Sequence, residues 1–79
     1  MSAKMMFKEL GYSWQEDEYS IKYTKVLNKR WIFKDEIQII FYKYSGTINI
    51  FSSTPGNIRI ELNLYDAMDK QLKELGWKE

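Results

Sequence analysis

The sequence predicts an α+β fold: an antiparallel sheet of about four strands in meander order, with a C-terminal helix packed on one face and a short N-terminal helix. Three observations predict it. Apolar residues recur at every second position in several short runs between residues 18 and 62. One helical stripe, Leu64, Met68, Leu72 and Leu75, closes the chain at spacings of four, four and three. The pentapeptides KELGY (8–12) and KELGW (73–77) repeat one helix-stop pattern: a core Leu, a Gly that accepts positive φ, and an aromatic residue to clamp the last turn. An amphipathic helix must bury its stripe, and half-buried strands offer the face that does so. The 79 residues are read as a single domain, 1–79, with a thin core. A chain of this length buries only about 60–65% of its unfolded surface.

In chain order, residues 4–10 (KMMFKEL) form a short helix with Met6, Phe7 and Leu10 able to share a face; Gly11 stops it and Tyr12 packs back. EYSIKYT (18–24) alternates Tyr19, Ile21 and Tyr23 with polar residues, as a strand does. Asn28, Lys29 and Arg30 lie near a turn. Trp31, Ile32 and Phe33 are apolar without alternation, so they either extend a strand or cap the core. EIQIIFYKY (36–44) is the strongest strand, Ser45 and Gly46 supply a hairpin turn, and TINIFS (47–52) runs back. TPGN (54–57) is a turn sequence, and IRIEL (58–62) alternates again as a fourth strand. Asn63 is the expected N-cap of the last helix, with Asp66 at its third position and Gly76 at its end.

Composition excludes several chemistries. With no Cys and no His there is no thiolate, no imidazole base and no Cys/His zinc site. No G-K-[ST] follows Gly46 or Gly56, so there is no P-loop. The carboxylates of Glu16, Asp17 and Glu18, of Asp35 and Glu36, and of Asp66 and Asp69 read as solvated or dipole-pairing charge rather than as a metal cage. The expectation is therefore no enzyme, no metal and no cofactor. The net charge of +1 gives no overall pull toward nucleic acid or membrane. No segment is long and apolar enough for a bilayer, and Lys8 and Glu9 interrupt the N-terminus too early for a signal peptide, so a cytoplasmic location is expected.

Several motifs carry a resemblance. FKELGY near the start, IKYTK, the hairpin IIFYKYSGTINI and the closing KQLKELGW together resemble a family of small proteins from phages and prophages of Gram-positive bacteria. That family has an early F-x-x-L-G-Y and a closing helix ending Q-x-x-x-L-G-W. The resemblance implies a phage-type setting and a strands-then-helix order, and it implies no catalytic residue. The chain departs from the pattern at Val26–Asp35, where the first hairpin is longer and more basic.

Two candidate sites remain. If Ile21, Ile37, Ile39, Phe41, Ile48, Ile50, Ile58, Ile60 and Leu62 face the helix, the pleat sends Ile40, Tyr42, Tyr44, Phe51 and Arg59 to the other face. That set is apolar for a solvated face. It is either a docking surface for a protein partner, most simply a second copy, or it is covered by the N-terminal helix, Trp14 or Trp31. The second candidate is Lys22, Lys25, Lys29, Arg30, Trp31 and Lys34, a basic segment with interleaved aromatics that suits single-stranded nucleic acid. The plainer account is a hairpin kept soluble by lysines on an edge strand. A sponge for a small anionic ligand is a further alternative, and it would need a pocket.

Overall fold

The structure is a computed structural model, and it describes residues 1–29, 34–53 and 58–79, with the side chains of Lys29 and Lys34 left out. Helix α1 (Ala3–Glu9) precedes strands β1 (Ser13–Glu16), β2 (Ser20–Lys29), β3 (Lys34–Tyr42) and β4 (Thr47–Ser52), and helix α2 (Leu62–Glu74) follows. The four strands form one antiparallel sheet in the order β1-β2-β3-β4, the expected meander. The expected turn at 54–57 and the apolar run 31–33 lie outside the described residues.

Both helices end by the same device. After α1, Gly11 takes φ +94°; its N–H donates to Lys8 O and the Tyr12 N–H to Phe7 O at 3.0 Å. After α2, Gly76 takes φ +77°; its N–H donates to Lys73 O and the Trp77 N–H to Leu72 O at 3.0 Å. These paired bonds satisfy carbonyls that a helix end otherwise leaves open, and they need a residue without a Cβ penalty at positive φ. Each clamp residue then enters the core. Tyr12 meets Phe7 edge-on at 5.5 Å, and Trp77 lies 6.5 Å from Phe41.

The two helices cover the same side of the sheet. Phe7 stacks on Tyr23 with ring centroids 3.8 Å apart, and Phe41 meets both rings edge-on. Ile21 and Ile39 from the sheet, with Leu64 and Ala67 from α2, complete the buried cluster. Ile37, Ile48, Ile50, Met68, Leu72 and Leu75 pack around it. The most buried line of α2 also includes a polar residue, Gln71, whose Oε1 accepts a 2.6 Å hydrogen bond from the Tyr23 hydroxyl. Burial pushes that hydroxyl's pKa up to about 12, with the Glu74 and Glu16 carboxylates adding to the rise.

Several boundaries differ from expectation. Residues 58–61 are not a strand: they join no ladder, and Ile58, Ile60 and Leu62 are exposed, Leu62 at 73%. Alternation does not specify a partner strand, and this stretch leads into α2 through Glu61, whose backbone is extended. The fourth strand is instead β1, a four-residue segment with every residue exposed. Asn63 is not the N-cap of α2; Glu61 is, with extended backbone and no capping side chain. The first helical bond runs from Tyr65 N–H to Glu61 O, so Asn63 and Asp66 sit further inside the helix. Starting early adds backbone bonds while Leu62 and Asn63 remain in solvent. β2 runs through the expected turn near Asn28 and Lys29, with a bulge between Val26 and Asn28. β3 stops at Tyr42, because the hairpin closes through the four-residue turn 43–46 with Gly46 at φ +66°.

Candidate functional site: the open face of the sheet

Both helices lie on one side, and no described helix covers the other side of the sheet. Directly paired residues in an antiparallel ladder share a face, and the face alternates along each strand. The register therefore assigns the open face row by row. Ser20 lies beside Tyr42 and Thr47; Gln15 beside Lys22, Ile40 and Asn49; Ser13 beside Thr24, Gln38 and Phe51; Val26 beside Glu36. Across these rows Lys22 and Glu36 are the only charged residues. Ile40 is half-buried among its neighbours, while Tyr42 and Phe51 are 37% and 53% exposed. Neither α1 nor Trp14 covers the face. Trp14 pairs with Tyr23, and so lies on the helix side, where the Lys4 ammonium sits 3.7 Å above its ring.

Charge gathers at one end of the face. Asp17 accepts the backbone N–H groups of Tyr19 at 2.7 Å and Ser20 at 2.8 Å, which fixes the β1–β2 turn. These bonds, Tyr19 first, hold its carboxyl below the usual carboxylate range. Lys43 donates to Glu16 at 2.7 Å and to Asp17 O at 2.9 Å, tying that turn to the β3–β4 turn. The acidic run 16–18 is thus largely a turn fastening. A shallow depression of about 370 Å³ lies inside it, lined by Gln15, Glu16, Asp17, Ser20, Lys22, Ile40 and Tyr42. One Lys against two carboxylates makes it a poor receptor for an anion.

Of the five residues expected on this face, the structure brings Ile40, Tyr42 and Phe51 together. Tyr44 lies at the rim, in the turn, with its ring 5.9 Å from that of Tyr19. Arg59 is not on the face. It lines a cleft on the helix side with Tyr12, Lys25, Leu27, Ile37 and Leu64, because residues 58–61 never join the sheet. The basic segment is divided in the same way. Lys22 is on the open face, whereas Lys25, an odd number of residues away, points to the helix side, 5.7 Å from the Tyr12 ring. Lys22 and Lys25 therefore cannot share one phosphate track on a single face. The side chains of Lys29 and Lys34 and all of Arg30 and Trp31 lie outside the described residues.

Sequence reasoning missed the contribution of β1 to the face, Ser13 and Gln15. The signal for β1 was faint: SWQE holds one apolar residue, too few to display a period. The turn after it was more legible, since Asp followed three residues later by Ser suits a side-chain-capped turn.

No group of three or more metal-ligating side chains gathers among the described residues, and no described helix is long and apolar enough to cross a membrane. Comparison with protein-family models, with curated proteins and with solved structures finds no match to this chain.

Proposed function

We propose that this chain is a small non-enzymatic binding protein whose open sheet face docks a protein partner, with Ile40, Tyr42 and Phe51 at the centre and Tyr44 at the rim. The observation that carries this reading is the composition of these rows: Ile40, Tyr42, Phe51 and Val26 set among uncharged polar side chains, with Lys22 and Glu36 as the charged residues, opposite a side already closed by both helices. Depletion of charge and enrichment of Tyr and Phe mark the centres of protein interfaces, where such rings anchor most of the affinity. The resemblance of FKELGY and KQLKELGW to small phage and prophage proteins supports a setting in which such a protein binds a chain of the bacterial host or a second copy of itself.

Photo-crosslinking inside producing cells tests the reading. A photoreactive phenylalanine analogue at position 42 or 51 is expected to give discrete protein adducts, while the same probe at Tyr65, exposed on α2, gives none above background. Equal yields from all three positions would sink the proposal. Adducts to nucleic acid in place of protein would point instead to the single-strand reading, which purified protein would show as binding that weakens steeply with ionic strength.

A further inference from the structure

The helix-side cleft that holds Arg59 lies where α1 ends and α2 begins, and its volume is about 220 Å³. Its apolar wall is Leu10 from the end of α1, Leu27 from β2, Ile37 from β3 and Leu64 from α2. Leu27 is the extra residue of the β2 bulge, between Val26 and Asn28. A bulge re-aims a side chain where a regular strand would not place it. At about 30 Å³ for each water-sized unit, the cleft holds a ligand of roughly seven or eight non-hydrogen atoms.

Two cations border this wall. Lys25 runs along Gly11 and holds its ammonium 5.7 Å from the centre of the Tyr12 ring. Arg59 comes from the segment 58–61 that leads into α2. Neither forms an ion pair among the described residues, whereas Lys43, Lys73 and Lys78 each do. Glu61 is the one carboxylate in the lining, which leaves a surplus of one positive charge. Asn63 adds an amide, beside the positive end of the α2 dipole. Tyr12 adds a hydroxyl. The residue is only 7% exposed, yet among the described residues its hydroxyl has no hydrogen-bond partner, whereas that of Tyr23 is met by Gln71. Burial raises its pKa, so it remains a donor well above neutral pH.

We propose that this cleft binds a small amphipathic carboxylate, with the carboxyl group held by Lys25 and Arg59 and the aliphatic body laid on Leu27, Ile37 and Leu64. Charge complementarity selects a monoanion, since one carboxylate neutralises the lining. A phosphate dianion would leave excess negative charge beside Glu61 and has no apolar part for the wall. A neutral or cationic aliphatic of the same length would forgo both cations. The required group occurs in a free short-chain acid and at the C-terminus of a peptide that ends in an aliphatic residue. The cleft lies on the helix side, away from Tyr42 and Phe51. It therefore goes beyond the docking function proposed for the open face and does not depend on it.

Titration followed by methyl resonances tests the proposal. Hexanoate and acetyl-leucine are the probes; 1-hexanol, hexylamine and inorganic phosphate are the controls. At least one carboxylate is expected to shift the methyls of Leu27, Ile37 and Leu64 saturably, and each control to bind about tenfold more weakly or not at all. Lys25→Gln and Arg59→Gln are each expected to weaken carboxylate binding about threefold, the scale of an exposed charge pair. Glu61→Gln is expected to tighten it by a similar factor, a gain that a purely structural role for Glu61 would not produce. Arg59 and Glu61 are exposed, so their variants should melt as wild type does. Tighter binding of acetyl-leucine than of hexanoate assigns a peptide C-terminus as the source, and the reverse assigns a free acid. No saturable shift with either carboxylate, 1-hexanol or phosphate bound as tightly as hexanoate, or unchanged affinity in Arg59→Gln and Glu61→Gln would each overturn the proposal. Crosslinking at position 42 reads the other side of the sheet, so a failure here is separable from a failure of the docking face.

Discussion

The two faces of the sheet use the same strands and the same alternation, yet they are built to opposite ends. On the helix side, Tyr23 and Phe41 are fully buried, locked by Phe7 and held in register by the Tyr23–Gln71 hydrogen bond. On the open side, Tyr42 and Phe51 have no ring partner among the described residues. Residue type alone does not separate the two sets, since each is one Tyr and one Phe. Position in the pleat separates them, because a shift of one residue along a strand exchanges core for solvent. The open rings are consequently available for a role that the closed rings cannot have.

Substitutions break this comparison in graded steps. The largest loss is expected from Phe7→Ala, which removes the ring that stacks on Tyr23 and contacts Tyr12 and Phe41; truncating a buried Phe costs about 3–5 kcal/mol. In a domain this thin, chemical denaturation should show the fold at the limit of stability. Tyr23→Phe is next. It leaves the buried Gln71 oxygen without its donor, at a cost of about 1–3 kcal/mol. Burial of the Tyr23 hydroxyl, with the Glu74 and Glu16 carboxylates adding to it, also makes stability depend on alkaline pH. The folded hydroxyl titrates near 12 against 10.0 when unfolded, so its contribution is complete below pH 10 and is lost as pH rises toward 12. Melting temperature measured across that window should fall for wild type, and less steeply for Tyr23→Phe.

Gly76→Ala is expected to cost about 1 kcal/mol through strain at positive φ alone, because the added Cβ would meet no neighbour. Gly11→Ala should cost about as much for the same reason, its φ of +94°, since the added Cβ would meet the end of the flexible Lys25 side chain at 3.4 Å, near ordinary contact. The smallest effect on stability belongs to the open face. Tyr42→Ser with Phe51→Ser should lower stability by about 1 kcal/mol or less, the scale of lost cross-strand contacts, and leave a cooperative melt. If the double variant unfolds, the two faces are equivalent in the fold and the docking reading loses its basis.

Much of this division was legible in the sequence. The alternation of Ile37, Ile39 and Phe41 against Gln38, Ile40 and Tyr42 assigned both faces of β3 correctly, and KELGY and KELGW placed both helix ends. The errors share a physical cause. Period two reports extended backbone and sidedness but says nothing of which strand lies alongside. IRIEL therefore looked like a strand and found no partner, whereas SWQE, with almost no pattern, was recruited by the Asp17 turn into the ladder. Arg59 was misplaced with the first error and Gln15 overlooked with the second. Gln71 escaped notice because a helical stripe is read from apolar residues, and its burial depends on a hydroxyl 48 residues away in the chain.

The contact between the two helices sets an order of events during synthesis. The Ala3 N–H donates to Glu74 Oε2 at 2.8 Å, across 71 residues, and α1 packs against α2. Closing so long a loop is the entropically dearest contact in the molecule, and contacts of high sequence separation slow folding. The β2–β3–β4 strands pair with near neighbours and need no such closure. On the ribosome they emerge, and can pair, while α2 is still being made. Until α2 arrives, the buried cluster lacks Leu64 and Ala67, and the surface that receives α1 is incomplete. For that interval the side of the sheet that becomes the core has α1 alone to cover it, and the last helix completes its closure.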